Sequence, residues 1–327
     1  MIISRTPLRM SFVGGGSDLP VFCRKFGGAV VSTAIDQYVY ITVNKKFDEN
    51  IRVSYSKTEE ARSVDRIKHP LVREAMKLAG LRGGVEITSV ADIPARGSGL
   101  GSSSTFTVGL LHALHAHAGR HASAEQLARE ACEIEIDRCG EPIGRQDQYA
   151  AAFGGLNFIR FNPDDSVVVE PIICQRETLR AVQEHILVFY TGITRSASAI
   201  LQHQQAALAG ERKKQNVTKK MVALAHDLRR DLQANRVAAF GEIIHEGWLL
   251  KKSLTKGIST DLIDDWYDKA RRAGAVGGKL LGAGTGGFLM FYSPPDRHEA
   301  IAHALRDLRR MNFGFEPSGS RIIFVHH

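Results

Sequence analysis

IPARGSGLGSSST, residues 93–105, carries glycine at 97, 99 and 101 and then three consecutive serines before an apolar pattern begins. Glycine admits positive φ and lets the backbone come close to a ligand. The run TFTVGLLHALHAHA that follows reads as helix over about 103–118, so a bare loop feeds a helix N-terminus. Unpaired N–H groups and the helix dipole make such a terminus an anion site, and phosphate is the usual anion. The serine hydroxyls can cap the helix, bond phosphate oxygen or ligate Mg2+. A surface turn with one serine N-cap accounts for one serine and one glycine, but not for the whole run.

Working outward, two more loops are dense in glycine, Gly14–Gly16 and Gly282–Gly287. GAGTGG at 282–287 fits GxGxxG by letter. However, FLMFY after it reads as a strand, whereas the dinucleotide fingerprint opens a helix. No GxxxxGK[ST] occurs, so the loop at 93–105 is not a P-loop.

The segments between the loops set the fold class. AVVSTAIDQYVYITVN (29–44), IRVSYS and GVEITSV are β-branched and aromatic, and predict strands. SAEQ at 123–126 is a capping box that predicts a helix running to about Arg138, with a short helix from about Arg145 and a strand at GGLNFIRF. A second unit begins near 181, where EHILVFYTG reads as a buried strand. Helices follow over about 195–254 and 259–273. KLLGAGTGGFLMFY then gives strand, turn and strand, before a helix at about 296–311 and a last strand at RIIFV. Strand-rich then helix-rich segments predict an α+β fold of two domains, 1–180 and 181–327.

Composition narrows the function. The chain has 327 residues and 43% hydrophobic content, enough for a large core. No run is long and apolar enough to span a bilayer. MIISRTPLRMSF lacks a signal-peptide pattern, so a cytoplasmic location is the expectation. Cys23, Cys132, Cys139 and Cys174 form no CxxC pair and are expected to be reduced thiols. His112, His115 and His117 lack a metal-ligand pattern and read as surface or boundary residues. The net charge of +8 suits an anionic small substrate. The basic runs ERKKQ and VTKKM carry no interleaved aromatics and read as a solvated helix face, so no nucleic-acid partner is expected.

PARGSGLGSSST resembles the proline-led G-L-G-S-S nucleotide loop of the GHMP small-molecule kinases, named for galactokinase, homoserine kinase, mevalonate kinase and phosphomevalonate kinase. RTPLRMSFVGGGSD looks like the family's first motif, KLLGAGTGGF like its third, and EIDRCGEPIGRQDQ like the segment carrying its catalytic acids. All occur in the family's order. Gly14-Gly15-Gly16-Ser17-Asp18 stands where galactokinase-type members carry Gly-Glu-His-Thr-Asp, and this form looks most like the branch acting on heptose 7-phosphate.

The resemblance implies a two-domain ATP- and Mg2+-dependent kinase. Its acceptor would be the anomeric hydroxyl of D-glycero-D-manno-heptose 7-phosphate, in nucleotide-activated heptose synthesis for bacterial surface polysaccharide. Another sugar such as fucose is the alternative, and a dinucleotide oxidoreductase a remote one. The partners implied are a sugar phosphate and ATP, with homodimerisation left open. Gly97, Gly99, Gly101 and the N–H groups of Ser102, Ser103 and Ser104 would cradle the triphosphate. Ser103 would be a Mg2+ ligand, with Glu135, twelve residues before Asp147, as its carboxylate partner. Glu133 and Asp137 are the nearby competitors. Asp147 matches the catalytic aspartate, as base or as orienting charge, and Arg9 the cation beside it. Gly15, Gly16, Ser17, Asp18, Gly284 and Arg195 are the residues assigned to substrate.

Overall fold

The structure, a computed structural model, describes residues 1–93, 97–194 and 198–326. Its strands are Ile2–Val13 (β1), Gly28–Lys45 (β2), Ile51–Ser54 (β3), Thr58–Ala61 (β4), Val85–Ala91 (β5), Leu156–Phe161 (β6) and Val167–Pro171 (β7), followed by Ile186–Tyr190 (β8), Gly277–Leu280 (β9), Phe288–Tyr292 (β10), Arg309–Met311 (β11) and Arg321–Val325 (β12).

β2 organises the larger sheet. Its first half pairs with β6 over Gly28–Thr33 and its second half with β5 over Val39–Lys45, while β1 runs antiparallel along both. Residues 28–35 are all buried and the later positions alternate with solvent, as expected for a strand covered first on two faces and then on one. The sheet order is β12-β1-β2-β5-β3-β4, with β6 joined to β2 and β7 to β6. A smaller sheet, β11-β8-β10-β9, carries the wholly buried strand FLMFY at its centre.

The helix Ser102–His117 packs along β1 and β2. Helices Arg212–Gln233 and Phe240–Lys252 pack on each other, the first against β2 and the second against β9 and β1. Phe12 meets Phe240 with ring centroids 5.2 Å apart, and Phe240 meets Tyr292 at 4.7 Å, so apolar packing runs continuously from one sheet to the other. Lys279 on β9 donates to the carbonyls of Ser11 and Phe12 at 2.7 and 3.0 Å, tying the sheets at their inner edges.

Three local readings change. β12 pairs antiparallel with β1, Ile2 opposite Val325, so the unit expected over 181–327 gives its last strand to the first sheet. Pairing there satisfies the free backbone edge of β1. The helix expected over 296–311 is α-helical only at His298–Ala304, because β11 pairs with β8. The capping-box helix ends at Cys132 and widens into a π-helical turn over Glu133–Arg138, with Ser123 Oγ accepting from Gln126 N–H at 3.2 Å. The histidine reading needs correction too. His115 is buried and its Nε2 lies 2.6 Å from Glu130, and burial pulls His112 down to about 4. All four cysteines are free, Cys23 and Cys132 being buried.

Candidate active site

The loop 97–101 meets the loop 282–287 backbone to backbone. A Cβ added to Gly99, where φ is +77°, would lie 2.3 Å from the Leu281 carbonyl oxygen. Only glycine admits that approach. Gly101, in the left-handed region, opens the helix Ser102–His117 without a side-chain cap, leaving the first-turn N–H groups uncapped. Ser102 and Ser98 hydroxyls bond each other at 2.7 Å, so these two serve the loop. Ser103 and Ser104 turn the other way, donating to Glu135 Oε1 and Oε2 at 3.0 and 2.7 Å.

Glu135 is fully buried on the π-helical turn. Thr107 and Gln148 complete its donor set at 3.2 and 2.6 Å. Burial pushes its carboxyl up to about 7 against the pull of the Ser104, Gln148 and Ser103 hydrogen bonds. Glu133 instead pairs with Arg138, and Asp137 is exposed, so neither shares the pocket.

Asp147 stands in the first turn of the helix Gln146–Phe153. Arg9 on β1 donates from Nε and Nη2 to its two oxygens, both at 2.7 Å, and from Nη1 to the Gly99 carbonyl at 2.7 Å. One guanidinium therefore joins the glycine loop to the carboxylate. The backbone N–H of Arg9 also donates to the Leu100 carbonyl at 3.1 Å.

Asp18, 1% exposed, accepts from the N–H groups of Gly16 and Gln146 at 3.0 and 3.1 Å and from Gln146 Nε2 at 3.1 Å. Burial raises its pKa, opposed by the Gln146 backbone bond. These bonds tie Asp18 to the N-terminus of the helix that presents Asp147. Ser17 Oγ donates to the Ala29 carbonyl and accepts from the Ala29 N–H, both at 3.1 Å, so its hydroxyl ties the loop to β2. Gly284 lies against Ile258, whose carbonyl oxygen would be 2.8 Å from an added Cβ. A side chain at Gly284 would thus meet protein backbone, and its own N–H and C=O are what it can offer a ligand. Arg195 lies outside the described residues.

Among the described residues, three buried polar atoms near Gly15 and Gly16 have no partner: Ser11 Oγ, Gln146 Oε1 and Gln204 Nε2. A Cβ on Gly15 would be 3.7 Å from both Ser11 Oγ and the Gln146 amide, and one on Gly16 only 2.3 Å from Gln204 Nε2. Buried polar groups are bonded as a rule, so these atoms have hydrogen-bonding capacity left for water or a ligand.

Sequence reasoning missed Gln146, Gln148, Gln204 and Lys251. RQDQY held the signal for the first two, since amides flank the aspartate. Gln204 and Lys251 sit in helical runs with no local cue. Lys251, at the end of the helix Phe240–Lys252, is 6% exposed and donates to the Gly282 carbonyl.

Comparison with known proteins bears on this arrangement. Residues 66–155 match the GHMP kinases N terminal domain and residues 228–309 the GHMP kinases C terminal model. The chain is 31% identical over 320 residues to D-glycero-alpha-D-manno-heptose 7-phosphate kinase of Campylobacter jejuni, covering 93% of each. It is 26% identical over 341 residues to a galactokinase of Pyrococcus furiosus, covering 93% of this chain and 92% of the relative. A solved D-glycero-D-manno-heptose 1-phosphate kinase from Bacteriodes thetaiotaomicron aligns over 100% of both chains with a TM-score of 0.82 and 28% identity. No helix among the described residues is long and apolar enough to cross a membrane.

Proposed function

The chain belongs to the GHMP kinase family, and from that premise we propose that it transfers the γ-phosphoryl group of ATP to the anomeric hydroxyl of D-glycero-D-manno-heptose 7-phosphate, giving the 1,7-bisphosphate. It is an ATP-dependent sugar kinase, and the finer choice of acceptor and position is our reading. The observation that carries it is the double 2.7 Å contact of Arg9 with Asp147, made beside the Gly97–Gly101 loop.

Phosphoryl transfer needs positioning and charge neutralisation more than covalent help. The first-turn N–H groups of the helix Ser102–His117 would receive the phosphates. Asp147 keeps lone pairs beyond those used by Arg9, and would accept a hydrogen bond from the acceptor hydroxyl. That oxygen attacks the γ-phosphorus as the bridging bond to the β-phosphate breaks. The hydroxyl proton passes to the Asp147 carboxylate or to the transferred group, and ADP leaves. Arg9 holds Asp147 in place and offsets its charge.

Ser103 and Glu135 would hold Mg2+: a hydroxyl and a carboxylate are the hard oxygen donors the ion prefers, and the two side chains already meet at 3.0 Å. The ion, when bound, would neutralise charge on the phosphates.

A polyhydroxylated acceptor fits the orphaned atoms of Ser11, Gln146 and Gln204. The likeness to the Campylobacter jejuni protein supports heptose 7-phosphate. ADP release with Mg·ATP tests the reading across heptose 7-phosphate, heptose 1-phosphate, free heptose, mannose, fucose and galactose. We expect heptose 7-phosphate to give the highest kcat/KM. Preference for any other member of the panel would overturn the acceptor while leaving the kinase.

A further inference from the structure

We propose that Lys251 is a second cation of the transfer site, opposite Arg9, whose free N–H donors bind the γ-phosphoryl group of the nucleotide. The proposal rests on the ATP-dependent kinase reading but not on the identity of the sugar.

The argument begins with an incompletely used ammonium. Lys251 is buried, and Nζ carries three donors. Among the described residues it makes one hydrogen bond, to the Gly282 carbonyl. Lys279 gives the contrast: equally buried, it uses two carbonyls, those of Ser11 and Phe12, and so works as a structural tie. A buried cation with one neutral partner is poorly compensated by the protein alone.

Position then names the missing partner. Gly282 packs on Gly99, where its Cβ would be 2.4 Å from the Gly99 Cα. The Gly99 carbonyl in turn receives Arg9 Nη1 at 2.7 Å. Arg9 from β1 and Lys251 from the helix Phe240–Lys252 therefore each bond one of the two glycine loops at the point where those loops touch. Arg9 turns its other nitrogens to Asp147, the group that meets the acceptor hydroxyl. The space served by both cations is where a phosphoryl group passes from the glycine loop toward that hydroxyl. Lys251 would meet the charge that develops there, which is where preorganised donors are most effective.

The charges facing Lys251 come from several elements: Arg9 on β1, Asp18 in the following loop, Asp147 on the helix Gln146–Phe153, and Lys279 on β9. Burial first, then Arg9, pulls its pKa down to about 8, with Asp18 and Asp147 opposing. The group is thus cationic below that pH and loses its charge above it.

The test compares wild type, Lys251→Met and Lys251→Arg by calorimetric titration with Mg·ADP and with the Mg2+ complex of the β,γ-imido analogue of ATP. We expect Lys251→Met to weaken the imido analogue at least tenfold and ADP less than twofold, since ADP lacks the γ-phosphoryl group. Equal weakening of the two, or none, would overturn the proposal. A second readout guards against misfolding of the methionine variant. The pH profile of kcat/KM for ATP should fall above about pH 8 in wild type, and that limb should vanish in Lys251→Arg, whose guanidinium does not titrate. A limb that persists in Lys251→Arg would assign it to another group. Wild type binding neither nucleotide would overturn the kinase reading and this proposal together.

Discussion

Arg9 and Asp147, 138 residues apart in the chain, meet through two parallel 2.7 Å hydrogen bonds that use both carboxylate oxygens. This bidentate fork fixes the carboxylate plane as well as its position. Asp147→Asn should lower kcat by about 10²–10⁴ while ATP affinity stays within a few-fold. Arg9→Lys keeps the charge but loses the fork, and should lower kcat by about 10². Steady-state kinetics with equilibrium ATP binding separates these effects. Near-normal kcat in Asp147→Asn would remove Asp147 from the reaction.

The proposed metal role of Glu135 would make metal use depend on pH. Its folded-state pKa of about 7 lies above the ordinary 4.5, so the folded protein holds a proton the unfolded chain has released. Its contribution to stability is therefore greatest at low pH and is lost as pH rises through the window from 4.5 to about 7. A cation at Ser103 and Glu135 must displace that proton. Half-saturating Mg2+ should rise as pH falls below about 7, approaching tenfold per unit. Mg2+ titrations of activity at pH 6, 7 and 8 check this, and Glu135→Gln should need far more Mg2+ and lose the slope. A flat dependence in wild type would move the metal elsewhere.

In the larger sheet β2, β3, β5 and β6 were legible, and in the smaller one β8, β9 and β10, because β-branched and aromatic runs such as AVVSTAIDQYVYITVN carry period and propensity together, whereas β1, β4, β7 and β11 were not read as strands. That the Gly97–Gly101 loop opens a helix was legible because its residues are close in sequence, and Glu135 was singled out by its twelve-residue spacing from Asp147. What escaped depends on distant pairing. β12 reads the same whichever sheet takes it, and only the open edge of β1 decides. Met311 belongs to a strand because Val188 lies opposite, not because its neighbours resist a helix. Gln204 and Lys251 resemble any polar helix residue until the fold sets them against Gly16 and Gly282.

Gln204 should trade stability against recognition. Its buried Nε2 has no partner among the described residues, and an unsatisfied buried amide of that kind costs about 1–3 kcal/mol. Gln204→Leu is then expected to raise Tm while raising the acceptor KM about tenfold, the loss of one hydrogen bond to a buried partner. The KM for ATP should not change. Thermal melts and two-substrate kinetics read both sides. A raised Tm with an unchanged acceptor KM would show that the amide meets no substrate.

Gly16 gives an independent handle on the same contact. Its φ of +97° disfavours any side chain, and a Cβ would fall 2.3 Å from Gln204 Nε2, the movable end of a flexible side chain. Gly16→Ala should therefore push the amide aside at a backbone cost of about 1–2 kcal/mol. Its effect on acceptor KM should match that of Gln204→Leu, with Tm moving in the opposite direction. Combining the two substitutions should add little to KM, because both remove one contact. Additive losses would mean that Gly16 meets the acceptor through its own backbone.

Gly99→Ala tests whether the two glycine loops act as one unit. The new Cβ would stand 2.3 Å from the Leu281 carbonyl oxygen, and backbone, unlike a flexible side chain, cannot step aside. The loops must separate, and Gly99 would carry its carbonyl away from Arg9 Nη1. We expect ATP affinity to fall at least tenfold and kcat to fall with it, because Arg9 then loses one of the contacts that aim it at Asp147. Gly80→Ala is the control: its φ is +70° and no atom lies within 4 Å of the added Cβ, so it carries the same kind of backbone strain without the collision. If both variants lose ATP affinity equally, strain alone explains the effect. Loss confined to Gly99→Ala would show that the approach of the two loops builds the nucleotide site.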